Sequence, residues 1–204
     1  MVEIIIVCLL GYLLGNVQTS YLLGKLIYKV DIRTLGKGNA GASNALESLG
    51  FKFGLTVGLV DVLKGTLAVI LAKGWVPGEI SLQYVAGFLA VIGHVFPFYM
   101  HFKGGKGTAT LIGMMLGINI WMGVGGMLSI ICFTLLSDYI AIGTAALVVY
   151  FIAISQWFRH GDIALAITVI MCALSLYKHR HNFIRIKNRE ESRVSRVLFK
   201  KNRS

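Results

Sequence analysis

Apolar residues fall in runs near 4–24, 53–73, 82–100, 108–136, 139–157 and 160–177, separated by short polar segments, with glycine frequent inside the runs. Runs of about 20 apolar residues are what a helix needs to cross a bilayer, and glycine within them lets helices pack closely. The pattern predicts an all-α polytopic membrane protein. The run 108–136 is too long for one crossing, because about 28 residues at about 1.5 Å each exceed a hydrocarbon core of about 30 Å. It is either one tilted helix or two short ones.

Charge separates the alternatives. Of the 20 Lys and Arg residues, all but Lys64, Lys73 and Arg159 lie in three polar stretches. One holds Lys25, Lys29, Arg33, Lys37 and Lys52, the second Lys103 and Lys106, and the third is the tail from Lys178 to Arg203. The excess of positive charge on cytoplasmic loops places all three inside the cell, so an even number of crossings must join the second stretch to the tail. Only a break near Asn119 supplies it. The expectation is seven transmembrane helices in one integral domain over 1–204, with the N-terminus outside and a basic cytoplasmic tail over 178–204; the fourth crossing, about 108–118, is short.

Composition agrees, at 56% hydrophobic and 14% charged residues with a mean hydropathy of +0.73. Disorder is excluded, and an ordinary water-soluble domain is disfavoured. The net charge of +11 suits anionic lipid or phosphorylated ligands as well as nucleic acid, and its placement beside apolar runs favours the first two. Cys8, Cys132 and Cys172 lie within apolar runs without metal or disulfide spacing and read as small core residues. Residues 4–14 follow Glu3 rather than a basic segment and read as a retained first helix, not a signal peptide.

Three polar segments carry candidate chemistry. The first, Asp31–Asn44, is rich in Gly, Asn and Ser: it is either a turn between helices or an anion site in which Gly36, Gly38 and Gly41 let amides converge, with Arg33 and Lys37 as charge. The second runs from Gly93 to Thr110 and contains Lys103-Gly-Gly-Lys-Gly107 directly before an apolar helix, which joins glycines, two ammonium groups and a helix N-terminus, each favourable to phosphate. It lacks the Walker A pattern. The plainer alternative is a basic membrane anchor. In the third, His179, Asn182 and Arg185 share a helix face just past the last apolar run, whereas Lys200, Lys201 and Arg203 read as contacts to anionic lipid. Asp61 and Lys64, at i and i+3 within a span, form either a structural pair or part of a substrate site. His94 caps, packs or binds, while His101 and His160 receive no role.

Cations and glycines against a membrane suit a phosphorylated substrate and an acyl-bearing one, and so glycerolipid synthesis. The His-x-x-x-x-Asp acyltransferase signature is absent, as are an Asp-rich metal motif and any Ser-His-Asp or Cys-His arrangement.

The ordered set Asp31-Ile-Arg33, Gly38-Asn39 to Asn44, Asp61-Val-Leu-Lys-Gly65, Gly93-His-x-Phe-Pro97, Phe102-Lys-Gly-Gly-Lys-Gly107 and His179-Arg-x-Asn182 resembles the bacterial acyl-phosphate:glycerol-3-phosphate acyltransferase family over nearly the whole chain. The resemblance implies a seven-helix enzyme of the bacterial cell membrane, its active site facing the cytoplasm. It would move a fatty acyl group from acyl phosphate to the 1-hydroxyl of glycerol 3-phosphate, giving lysophosphatidic acid and phosphate. It implies no metal, cofactor or nucleic acid, and a soluble phosphate:acyl-carrier-protein acyltransferase as supplier of acyl phosphate. Site residues carried over are Arg33, Asn39 and Asn44; Lys103, Gly104, Gly105, Lys106 and Gly107; and His179 and Asn182. His94, Asp61 and Lys64 join them as substrate-site candidates.

Lys37 departs from the family, which usually has Ser in Gly-Ser-Gly-Asn, and would bind phosphate as a point charge. Glu47 stands where a basic residue is frequent, and Asn16-Val-Gln18 and Asn188 also depart, which marks a divergent member or a paralogue of altered substrate choice or activity. A transporter of a phosphorylated metabolite and a non-enzymatic membrane subunit are the competing classes. The first would spread polar residues through the depth of several spans; the second would leave the Gly-Lys segment unexplained.

Overall fold

The computed structural model describes residues 1–198, and the contacts expected of Lys200, Lys201 and Arg203 fall outside them. The described residues fold into helices α1 (Val2–Gly15), α2 (Thr19–Ile27), α3 (Ala42–Leu49), α4 (Phe51–Trp75), α5 (Ile80–Val95), α6 (Thr108–Ile118), α7 (Ile120–Ser137), α8 (Ile140–Phe158), α9 (Asp162–Lys187) and α10 (Val194–Leu198).

By length and apolarity 5 helices qualify as membrane spans: α4, α5 with its short extension to Met100, α7, α8 and α9. Counting α1 and α2, bent by 41° against each other, as one broken span raises the number to 6. At 11 residues α6 is too short for an unaided crossing, so the expectation of seven full spans meets a shorter fourth element. Large apolar side chains such as Leu63, Leu128, Leu135 and Val149 point outward, the surface of a protein solvated by lipid.

Two breaks shape the molecule. Asn119 adopts an extended conformation, and its side-chain oxygen accepts from Trp121 N and Met122 N, so it ends α6 and caps α7 in one residue. The charge argument had required a break there. The bend between α1 and α2 is held by amides: Asn16 Nδ2 donates to Tyr12 O, Asn16 Oδ1 accepts from Phe98 N, and Gln18 Nε2 donates to His94 O. Asn16 and Gln18, visible in the sequence only as family departures, thus supply the amide contacts at the turn, although Gln18 Oε1 and the Thr19 hydroxyl stay buried without a partner.

The interior is organised around α6. Leu111, Met114 and Met115 are buried in one cluster with Val69, Tyr84, Leu147 and Phe151. A Cβ at Gly113 would strike Val62 O of α4, and one at Gly65 would strike Thr110 O, so α4 and α6 touch backbone to backbone. This contact fixes where α6 starts, and its first turn opens into the candidate site.

Candidate active site

Asn44, buried on α3, organises the first polar segment. Its Nδ2 donates to Ile32 O, Leu35 O and Asn39 O, and its Oδ1 accepts from Lys37 N at 2.7 Å. Every polar atom of the side chain is therefore spent on the loop, and Asn44 stands behind the site rather than in it. Arg33 is likewise engaged. It pairs with Asp31 at 2.7 Å and donates to Met100 O at 2.9 Å, which ties the first polar segment to the second, and the guanidinium holds the Asp31 carboxyl below the usual carboxylate range.

The glycine-rich segment crosses this loop, with Ala40 N donating to Gly104 O. Gly104 N and Gly105 N donate to Val95 O and His94 O, so the amide cradle expected of these two glycines is already occupied. Their glycine character has another cause: a Cβ at Gly104 would meet His94 O and the Pro97 ring, and one at Gly105 the His94 imidazole. Beneath them, Lys64 Nζ donates to Val17 O at 2.7 Å and lies 2.8 Å from both Asp61 Oδ1 and His94 Nδ1. This buried knot joins the bend between α1 and α2 to α4 and α5, and Lys64 is consumed in it. Lys103 is exposed and does not line the cavity.

The residues that do converge line a cavity of about 410 Å³. Lys37, Asn39, Lys106, His179, Asn182 and Glu191 form one end; Leu55, Leu59, Val62, Ile112, Ile130 and Ile140 form the other. Gly107, at φ +88, takes a left-handed conformation suited to glycine and starts α6 without a side-chain cap, leaving the amides of its first turn unpaired within the helix. The buried Thr108 hydroxyl beside them has no partner. These donors, with Lys106, are an anion seat. Lys106 Nζ donates to Asn182 Oδ1. Burial lowers the Lys106 pKa to about 8, neighbouring Arg185, Lys37 and Lys178 lower it too, and Glu191 opposes them. His179 donates from Nδ1 to Ser175 O at 2.9 Å, which fixes the tautomer and leaves the lone pair on Nε2. Asp61 and His94 also reach the cavity wall.

Glu191 is the residue that sequence reasoning missed. It accepts from Lys37 at 2.7 Å, Asn182 at 2.9 Å and Arg185 at 2.6 Å. Its one signal was an acidic pair, Glu190-Glu191, within a basic tail. Lys37, which replaces the usual Ser, is also paired with Glu47 at 3.3 Å, so both departures answer each other.

Residues 5–189 match the family model described as glycerol-3-phosphate acyltransferase. The chain belongs to the glycerol-3-phosphate acyltransferase family. It is 36% identical to glycerol-3-phosphate acyltransferase 1 of Oceanobacillus iheyensis, over 97% of this chain and 98% of that protein. Identity to the glycerol-3-phosphate acyltransferase of Halalkalibacterium halodurans is 38%, over 91% of this chain and 93% of the relative. Two crystal structures of PlsY (YgiH), an integral membrane glycerol 3-phosphate acyltransferase, share the fold. The glycerol 3-phosphate form superposes with a TM-score of 0.89 at 28% identity, covering 96% of this chain and 98% of that one. The lysophosphatidic acid form gives a TM-score of 0.85 at 27% identity over the same shares.

Proposed function

We propose that the protein transfers a fatty acyl group from acyl phosphate to the 1-hydroxyl of glycerol 3-phosphate, releasing lysophosphatidic acid and inorganic phosphate. The observation that carries this reading is one cavity with a cation-rich end at the α6 N-terminus and an apolar groove continuing from it. A phosphate and an acyl chain fit its two halves, and the family membership supplies the acceptor.

Among the described residues no serine hydroxyl or cysteine thiol hydrogen-bonds to a histidine, and an acyl phosphate does not need one. It is a mixed anhydride with phosphate as a good leaving group. The acceptor hydroxyl attacks the acyl carbonyl carbon directly, the bond from that carbon to the phosphate oxygen breaks, and the hydroxyl proton passes to His179 Nε2. Lys106, Thr108 and the α6 amides hold phosphate and spread the charge that develops, while Asn182 orients Lys106. The chemistry draws on no cofactor or metal.

We place the cation-rich end in the cytoplasm of a bacterial cell, with the N-terminus outside and α6 as a short fourth crossing. Trp75, Trp121 and Trp157 all end or begin helices at the opposite end and are exposed there, as tryptophans at a membrane interface are. Anionic lipid around the basic residues and a soluble supplier of acyl phosphate complete the assignment.

The test is phosphate release by purified protein supplied with palmitoyl phosphate, with and without glycerol 3-phosphate. Release that depends on glycerol 3-phosphate and yields lysophosphatidic acid is expected of the natural chain and of Lys37→Ser. Flux of glycerol 3-phosphate into liposomes without acyl transfer would instead make the protein a transporter.

A further inference from the structure

Beyond α9 the chain turns back over the site. Arg189, at φ 62, makes the turn, and Glu190 N and Glu191 N bond to Arg185 O. Ser192 Oγ donates to Glu47, Val194 N donates to Asp138 O, and Ser195 donates through N and Oγ to the Asp138 carboxylate. This strap closes both ends of the cavity, because Glu191 stands at the cationic end while Val194 and Val197 lie along the apolar groove. Of the polar contacts that hold it, those from Ser192 and Ser195 are exposed to solvent, and those of Glu191 lie within the site.

Although it sits on a surface strap, the Glu191 side chain is only 7% exposed. Lys37 and Asn182 donate to one carboxylate oxygen and Arg185 to the other. Two cations and an amide arranged around two oxygens make an anion seat, and its occupant here belongs to the chain itself. Burial alone would raise the Glu191 carboxyl, but these hydrogen bonds outweigh it and hold the group below the usual carboxylate range. With Glu191 and Glu47 in place, Lys37 and Arg185 are neutralised, and among the described residues Lys106 is the ammonium that faces the cavity without a carboxylate partner. A phosphate dianion arriving at Lys106 meets Glu191 as a like charge across Asn182.

We propose that Glu191 sets the affinity of the site by holding the Lys37–Asn182–Arg185 seat in the resting protein and yielding it to the phosphate of the substrate, so that the strap lifts Val194 and Val197 from the acyl groove. This rests on the acyl-transfer reading for its substrates, while phosphate binding itself can be measured apart from turnover.

Glu191→Gln keeps the shape and removes the charge. Titration of the detergent-purified protein with glycerol 3-phosphate, and separately with inorganic phosphate, should show binding tightened about tenfold, with KM falling in step and kcat changing less. A spin label on Arg196→Cys, in a chain with Cys8 and Cys132 replaced by Ser, should become more mobile when glycerol 3-phosphate is added to protein retaining Glu191. Equal or weaker binding by Glu191→Gln would overturn the proposal and make Glu191 a support for Lys37 and Asn182; an unmoved label would overturn the strap. If Glu191→Gln cannot be purified, Glu191→Asp draws the carboxylate back from the seat and must tighten binding too. Should the natural chain bind phosphate yet transfer no acyl group, the functional reading fails while the binding comparison still decides the role of Glu191.

Discussion

Lys106 is the residue on which charge and burial compete most directly. Its pKa, lowered to about 8 by burial and by its cationic neighbours, places its ionisation within reach of ordinary assay conditions. The protonated form binds phosphate, so affinity is full below that pH and falls as pH rises through it. The profile of kcat/KM for glycerol 3-phosphate should therefore lose activity above about pH 8, and Lys106→Arg, charged throughout, should flatten that limb. Bound phosphate stabilises the ammonium, so the corresponding limb of kcat lies at higher pH. Lys106→Ala should lower kcat/KM by about 100-fold or more while the protein still elutes as a folded species. Asn44 calls for a different outcome. Asn44→Ala strands a buried amide and several carbonyls, each costing about 1–3 kcal/mol, and should appear as a large drop in thermal stability with activity lost through the loop. Both residues stood out in the sequence by type and spacing. Their division of labour did not, because it depends on which partners the fold delivers, and three carbonyls from separate turns claim the Asn44 amide before any ligand can.

Among the elements, the contact of α4 with α6 is the one a single atom can spoil. Gly113→Leu drives a carbon into contact with Val62 O, and separating the helices should lower the unfolding temperature in detergent by an amount equivalent to about 1–3 kcal/mol or more. Activity should fall with it, since the α6 N-terminus moves. The helices themselves were legible because hydrophobic runs of bilayer length admit few other structures, and the break at Asn119 was legible because charge fixes crossing parity. The bend at 16–18 was not, since Asn16 and Gln18 are satisfied by Phe98 N and His94 O, far along the chain. The strap was hidden for a related reason. Its helix is only 5 residues long, too short to show a period, and an acidic residue among basic ones shows its purpose only once Lys37, Asn182 and Arg185 surround it.

At the scale of the whole molecule, the cationic end and the tryptophan end make a membrane protein with two unlike faces. Single cysteines at Ser192 and at Gly78, in a chain free of other reactive thiols, should label from opposite sides of sealed vesicles, and labelling of both from one side would invert the topology. The pairing of α6 with α7 adds something that neither face shows alone. The two run back from a shared break at Asn119, 11 residues against 18, so α6 begins about 10 Å short of the level where α7 ends, at about 1.5 Å per residue. In the proposed topology the phosphate seat is the floor of a well sunk below the level where α7 ends. A water-borne acceptor must descend to meet an acyl carbonyl there, which is close to the depth at which ordinary lipids carry their own ester linkages. In that topology a lysophosphatidate formed on the floor would already be near its resting depth, and sideways drift into the leaflet would be its shortest way out.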